Sequence, residues 1–328
     1  RFSSGRFLIA LAVSFSMSKT IHPTAFIQVD PSKKRLVVTD EARRILSGLG
    51  TVGVCAVAGV YRTGKSYILN QLAGRDSGFG IGSTVQACTK GIWLWGAPLN
   101  VRSSARSSGS PEHLLLLDTE GLQSICQSEG HDAKIFCLAL LLSSFFVYNS
   151  EKAINNAAID QLSLVAQLTR KIRVHAEGGE QDDATLADFF PAFTWLLRDF
   201  QLELEDAEGA EITPDQYLEH CLQPQPGSSA TAQEQNQTRA AITKLFRKRQ
   251  CITLPHPTLG TSLPKEAIKK LPPLEKLHPS FRDGVTKLKS TLLSSLQPKM
   301  LNGTALTGPM LLALAEGYTA AINDGAVP

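Results

Sequence analysis

Gly59-Val60-Tyr61-Arg62-Thr63-Gly64-Lys65-Ser66 satisfies the spacing GxxxxGK[ST] without a gap. Glycines let backbone N–H groups close around phosphate oxygens, and a helix opening directly after them points its positive end at the same place. In such a loop the lysine reaches the β- and γ-phosphates, and the serine hydroxyl coordinates Mg²⁺. Lys65 and Ser66 are the candidates for those two tasks, with Gly59, Tyr61, Arg62, Thr63, Gly64 and Tyr67 as the surrounding nucleotide contacts. The flanks agree with this reading. Residues 52–58 (VGVCAVA) form a small and β-branched run, the habit of a parallel strand buried on both faces, and residues 67–72 space their apolar side chains helically.

A second element lies about 50 residues further on, where four leucines (114–117) end in Asp118-Thr119-Glu120-Gly121. An acid closing a buried strand at that distance from the lysine can hold the magnesium through water. No NKxD or TKxD occurs, so the usual small-GTPase base reader is missing. Arg198-Asp199 follows the strand-like run 193–197, and by itself such a pair reads as a surface ion pair.

These residues need elements to carry them, and the chain supplies an alternation. Thr39 is a fair N-cap for a short helix over 40–46 that Gly48 and Gly50 end. Residues 92–95, 113–117, 193–197 and 251–254 read as strands, while 135–148 is apolar throughout and fits either strand or buried helix. Residues 153–173 repeat apolar positions at helical spacing, and 281–296 and 306–322 close the chain as helices. The polar stretch 223–239 reads as a mobile insertion, and six prolines between Pro255 and Pro279 imply loop-built structure. Alternating strands and helices predict an α/β fold: a P-loop NTPase with a mostly parallel central sheet flanked by helices.

The 328 residues are 43% hydrophobic and 19% charged, the balance of a globular chain. A net charge of +3 argues against nucleic acid as a partner. Six cysteines show neither CxxC nor zinc spacing, which favours reduced thiols and a cytoplasmic setting. No apolar run reaches the roughly 20 residues of a membrane span, so membrane association is not expected from this chain. Arg1, Arg6 and the apolar run 7–13 imitate a weak signal peptide. Residues 1–30 are set aside as an atypical N-terminal extension, leaving 31–328 as one large domain.

The stretch VAGVYRTGKSYILNQLAGRDSGFGIGSTVQACTKGIWLWGAP, with LLLLDTEGL and FTWLLRDF after it, resembles the guanylate-binding proteins of the dynamin-like large GTPases. The likeness runs from about Leu36 to Ile322, which implies a large GTPase domain whose helical stalk would begin where the chain ends. Arg62 matches the family's internal arginine finger, which cancels charge developing on the transferring phosphoryl group. Thr89, in CTKG, matches the switch threonine that completes magnesium coordination. Glu120 matches the glutamate whose hydrogen bonds position the attacking water, and Gly121 follows it in the same nucleotide-contacting motif. Arg198 and Asp199 match the guanine-reading RD pair, so that the Asp199 carboxylate accepts from the base N1–H and exocyclic amine. One position departs from the pattern: Ala87 stands where better-known members carry a water-orienting serine, and Cys88 beside it is a poor substitute.

Two functions follow. The first is a Mg²⁺-dependent GTP hydrolase giving GDP, with further cleavage to GMP left open, which forms a homodimer across the nucleotide face. The second is a slow-turnover, nucleotide-gated assembly module in which GTP binding is the signal; Ala87 favours it. An ATPase or kinase on the same loop is disfavoured by the RD pair.

Overall fold

A computed structural model describes residues 22–32, 34–61, 63–80, 91–96, 98–100, 109–119, 129–163, 165, 167, 187–260 and 272–325. Nine strands form one sheet. In chain order they are β1 (Thr24–Asp30), β2 (Arg35–Val38), β3 (Val52–Gly59), β4 (Ile92–Leu94), β5 (Leu99–Asn100), β6 (His113–Thr119), β7 (Phe145–Glu151), β8 (Ala192–Arg198) and β9 (Arg249–Leu254). Across the sheet the order is β2-β1-β4-β6-β3-β7-β8-β9, with β5 added antiparallel to β6. From β6 to β9 every pairing is parallel, and the β2-β1-β4 edge is antiparallel.

The helices are α1 (Asp40–Leu46), α2 (Lys65–Leu72), α3 (Glu129–Leu142), α4 (Asn156–Gln161), α5 (Pro214–Cys221), α6 (Ala230–Leu245), α7 (Pro279–Ser295) and α8 (Gly308–Asn323). Alternation along the central strands divides the core between the two faces. Val54, Ala56, Leu115, Leu117, Phe146, Tyr148 and Trp195 meet the buried faces of α1, α3, α4, α5, α6 and α8. Cys55, Val57, Leu116, Val147 and Ile252 meet α2 and α7 on the other side. The result is the three-layer α/β sandwich expected from the alternation of elements.

Four readings need revision. Residues 24–30 are not part of an extension: β1 pairs with β2 through Ile27↔Val38 and with β4 through Thr24↔Leu94. Residues 135–148 are neither one helix nor one strand. Ser143 Oγ donates to the Leu140 carbonyl at 2.9 Å as α3 ends, and Ser144 N donates to the Val54 carbonyl at 2.9 Å, opening the parallel register of β7. Much of the supposed mobile insertion is α6, started by Ser229, whose side chain accepts from Ala232 N, and anchored by buried Thr238, Arg239, Ile242 and Leu245. The helix expected from residue 153 begins at Asn156, because Asn155 caps it by accepting from Ala158 N; residues 168–173 lie outside the described residues.

Candidate phosphate and base site

The carboxyl ends of β3, β6, β7 and β8 meet at one edge of the sheet, where open parallel sheets bind their ligands. Register places Asp118 beside Val57, Asn149 beside Gly59, and Arg198 beside Glu151. Gly59 has φ +143°, and a Cβ there would stand 1.9 Å from the Asn149 carbonyl oxygen. Only glycine lets β3 leave the sheet this close to β7. The loop closes at Gly64, the left-handed N-cap (φ 79°) from which α2 starts.

Within the loop, the Thr63 hydroxyl donates to the Val60 carbonyl at 2.7 Å, and the Lys65 ammonium donates to the same carbonyl at 3.0 Å. Ser66 Oγ donates to Asp118 Oδ2 at 2.6 Å, so the structure joins the two motifs that the sequence shows 52 positions apart. Tyr61 is half-buried in the loop, and Tyr67 lies against Phe281 of α7 with ring centroids 6.3 Å apart. Burial pushes the Tyr67 hydroxyl up to about 12 despite the Arg198 charge beside it, so it stays a neutral phenol.

Arg198 is not in a surface ion pair. It is 7% exposed, it donates to the Thr63 carbonyl at 3.2 Å, and its guanidinium carbon sits 5.3 Å from the centre of the Phe281 ring. Burial pulls its pKa below the usual arginine range, with Asp199, Tyr67 and Glu151 opposing the shift. Asp199 follows in a left-handed conformation (φ 54°), which turns the chain at the end of β8; aspartate tolerates that region better than most residues.

Two residues that sequence reasoning missed complete the support. Asn149, fully buried, donates from Nδ2 to the Thr63 carbonyl at 3.1 Å and to the Thr63 hydroxyl. Phe281 stands behind the loop from more than 200 residues away in sequence. A polar residue inside the apolar run FFVYN was the available signal for Asn149; Phe281 had none. Arg62, Ala87, Cys88, Thr89, Glu120 and Gly121 lie outside the described residues. The approach to 81–90 is described: Asn70 of α2 holds Phe79 through N–H to Oδ1 at 2.8 Å and Nδ2 to the carbonyl at 3.2 Å.

Residues 33–301 match the family described as guanylate-binding protein, N-terminal domain. The chain belongs to the guanylate-binding protein family. It is 43% identical over 309 residues to guanylate-binding protein 2 of Homo sapiens, an alignment covering 92% of this chain and 50% of that protein. It is 41% identical over 325 residues to guanylate-binding protein 1 of Chlorocebus aethiops, covering 95% and 52%. Against guanylate-binding protein 2 of Mus musculus the figures are 41% over 307 residues, covering 92% and 50%. The chain thus spans about half the length of the curated relatives it matches. The family resemblance read from the motifs is borne out. So is the α/β large G domain it implied, here carrying the phosphate loop between β3 and α2.

Ser66 and Asp118 bring a hydroxyl and a carboxylate together at the mouth of the loop, and hard oxygen donors of this kind suit a magnesium ion. Among the described residues no cluster of three or more histidine, cysteine or acidic side chains could hold a metal ion. No described helix is long and apolar enough to cross a membrane.

Proposed function

We propose that this domain binds GTP with magnesium and hydrolyses it to GDP, and that nucleotide loading promotes association of two copies across the nucleotide face. The observation that carries the reading is the Ser66–Asp118 contact beside a lysine laid across a glycine-closed loop, at the carboxyl edge of a parallel sheet. Family membership supports guanine nucleotide as the ligand, because the names of the relatives state that they bind guanylate.

In this reading the α2 N-terminus and Lys65 take the β- and γ-phosphates, and charge-assisted hydrogen bonds from them grow stronger as the leaving group gains charge. Ser66 and Asp118 would hold the magnesium, which when bound neutralises charge on the phosphate oxygens. Asp199 accepts from the guanine N1–H and amine, while Arg198 fixes the back of the loop instead of touching phosphate. Arg62, Thr89 and Glu120 take the roles given by resemblance: transition-state cation, switch ligand and water positioner. Ala87 favours the second reading, slow turnover in a nucleotide-gated assembly module, since it offers no hydroxyl to the attacking water.

The test is chromatographic separation of GDP and GMP formed from GTP, with magnesium, over a hundredfold range of protein concentration. Turnover per protein that rises steeply with concentration supports the self-associating hydrolase. Slow turnover that stays flat supports the gated module. Failure to bind guanine nucleotide at any concentration overturns both.

A further inference from the structure

At the opposite edge of the sheet, where β7 and β8 begin, a cavity of about 260 Å³ opens between the break after α3, the approach to β8, the turn before β9 and the segment after α7. Lys299, Arg247, Lys248, Asp188, Phe190 and Met300 are among its lining residues. Lys299 is 5% exposed, and its ammonium donates to the Ser143 carbonyl at 3.0 Å and the Phe189 carbonyl at 3.1 Å. It makes two donations, both to neutral carbonyls, so in its protonated form one of its three N–H groups has no acceptor among the described residues. None of the carboxylates among the described residues pairs with it. Asp188, the acid in the lining, is engaged by Arg247 at 2.9 Å. A buried cation without a counter-charge is expensive, and burial pulls the Lys299 pKa down to about 7.

We propose that this cavity is a second ligand site, separate from the phosphate loop, that takes a small organic oxyanion whose charge pairs with Lys299. Three cations against one carboxylate set the sign of the ligand. Phe190 and the partly exposed Met300 offer it an apolar wall. At about 30 Å³ per water, the volume admits a ligand of roughly ten non-hydrogen atoms. An anion that supplies the missing charge restores the ammonium, so binding takes up a proton. The other charged groups facing the cavity, Asp188, Arg247 and Lys248, belong to an ion pair and to the rim.

Benzoate and phenyl phosphate are the probes, because they differ in headgroup and share an apolar body. Benzoate also keeps one charge between pH 6 and 8.5, so its pH dependence reports the protein alone. Binding is read by ligand-observed NMR on the whole chain, with GDP present in excess. Protonation of a group titrating near 7 falls from nine-tenths at pH 6 to a few per cent at pH 8.5, so benzoate affinity should drop about 30-fold. Lys299→Met should abolish both the binding and its pH dependence. Should that variant fail to fold, trace acetylation of the wild-type chain, read by peptide mass spectrometry, decides instead: benzoate should protect Lys299. Absence of binding by both probes, pH-independent benzoate binding, unchanged binding in a folded Lys299→Met, or unprotected Lys299 would each overturn the site. None of these readouts requires the nucleotide assignment to be correct.

Discussion

The Thr63 carbonyl accepts two hydrogen bonds, one from Asn149 Nδ2 and one from Arg198, and the residue is 5% exposed. Its two donors come from β7 and β8, so a single oxygen ties the phosphate loop to both strands. Removing either donor leaves the oxygen satisfied by the other; removing both strands it in a buried site. Asn149→Ala loses two donations and leaves a small cavity, which should cost about 1–3 kcal/mol. Arg198→Met keeps an apolar stem near Phe281 and removes a cation whose burial is unfavourable, so its cost should be about 1 kcal/mol or less. The double variant adds the penalty of an orphaned buried acceptor, about 1–3 kcal/mol beyond the sum of the two. Urea unfolding of the four proteins measures the cycle. GDP dissociation constants measured on the same four should show the same excess, because a loosened loop presents its N–H groups less well. Additivity within about 0.5 kcal/mol in both measurements would refute the shared-acceptor argument.

Gly59→Ala must displace the Asn149 backbone and should lose several kcal/mol of stability, whereas Gly64→Ala meets only the Arg198 guanidinium at 3.0 Å and should cost about 1–2 kcal/mol for its left-handed backbone; thermal melts rank the two. Lys65→Ala should lose most GTP affinity in a fluorescent-nucleotide titration, and undiminished binding would remove the phosphate-loop assignment. Asp199→Asn should weaken GTP binding and move preference towards xanthosine triphosphate, whose extra carbonyl accepts from the new amide; an unchanged order in competition titrations would put the base reader elsewhere. Lys299 loses its proton in the fold as pH passes about 7, whereas the unfolded chain keeps it up to the ordinary 10.5, so stability rises with pH through that window. Relative to Lys299→Met, the wild type should gain about 1.5–2 kcal/mol between pH 7 and 8.5 in denaturant titrations.

Local chemistry was legible where a residue acts on its own neighbours. Thr39 accepts from Ala42 N at 3.2 Å and α1 covers the seven residues the cap implied, since capping is settled within one turn. The buried run before the loop became β3 because small β-branched residues suit a strand covered on both faces. β1 escaped notice because its partners, β2 and β4, are fixed by antiparallel pairing on both sides, one of them from some 65 residues away. The polarity of 230–239 suggested a solvated segment, but what determines a helix there is one cap and one buried stripe, which average composition conceals.

The candidate site divides in the same way. Gly59, Gly64, Lys65 and Ser66 were legible because the loop is continuous in sequence, and Asp118 because it ends a recognisable apolar strand. The Arg198-Asp199 pair was ambiguous for a physical reason: an arginine at a strand end reads as solvated unless something removes its water. Phe281 and the α2 surface do so here, and the displaced hydration is replaced by the Thr63 carbonyl and the Phe281 ring. That exchange changes what the pair can do. With Arg198 turned inward onto the loop, the proposed role of meeting the base falls to Asp199, on its left-handed turn at the sheet edge, while its charge still acts on the guanidinium. The same turn brings the Lys152 N–H onto the Arg198 carbonyl at 2.6 Å, so the ends of β7 and β8 are braced where the base would sit. In the proposed reading the base reader Asp199 directly follows a residue that braces the phosphate loop, and Arg198→Met, which leaves the Thr63 carbonyl to Asn149, should weaken GDP binding less than the double variant does.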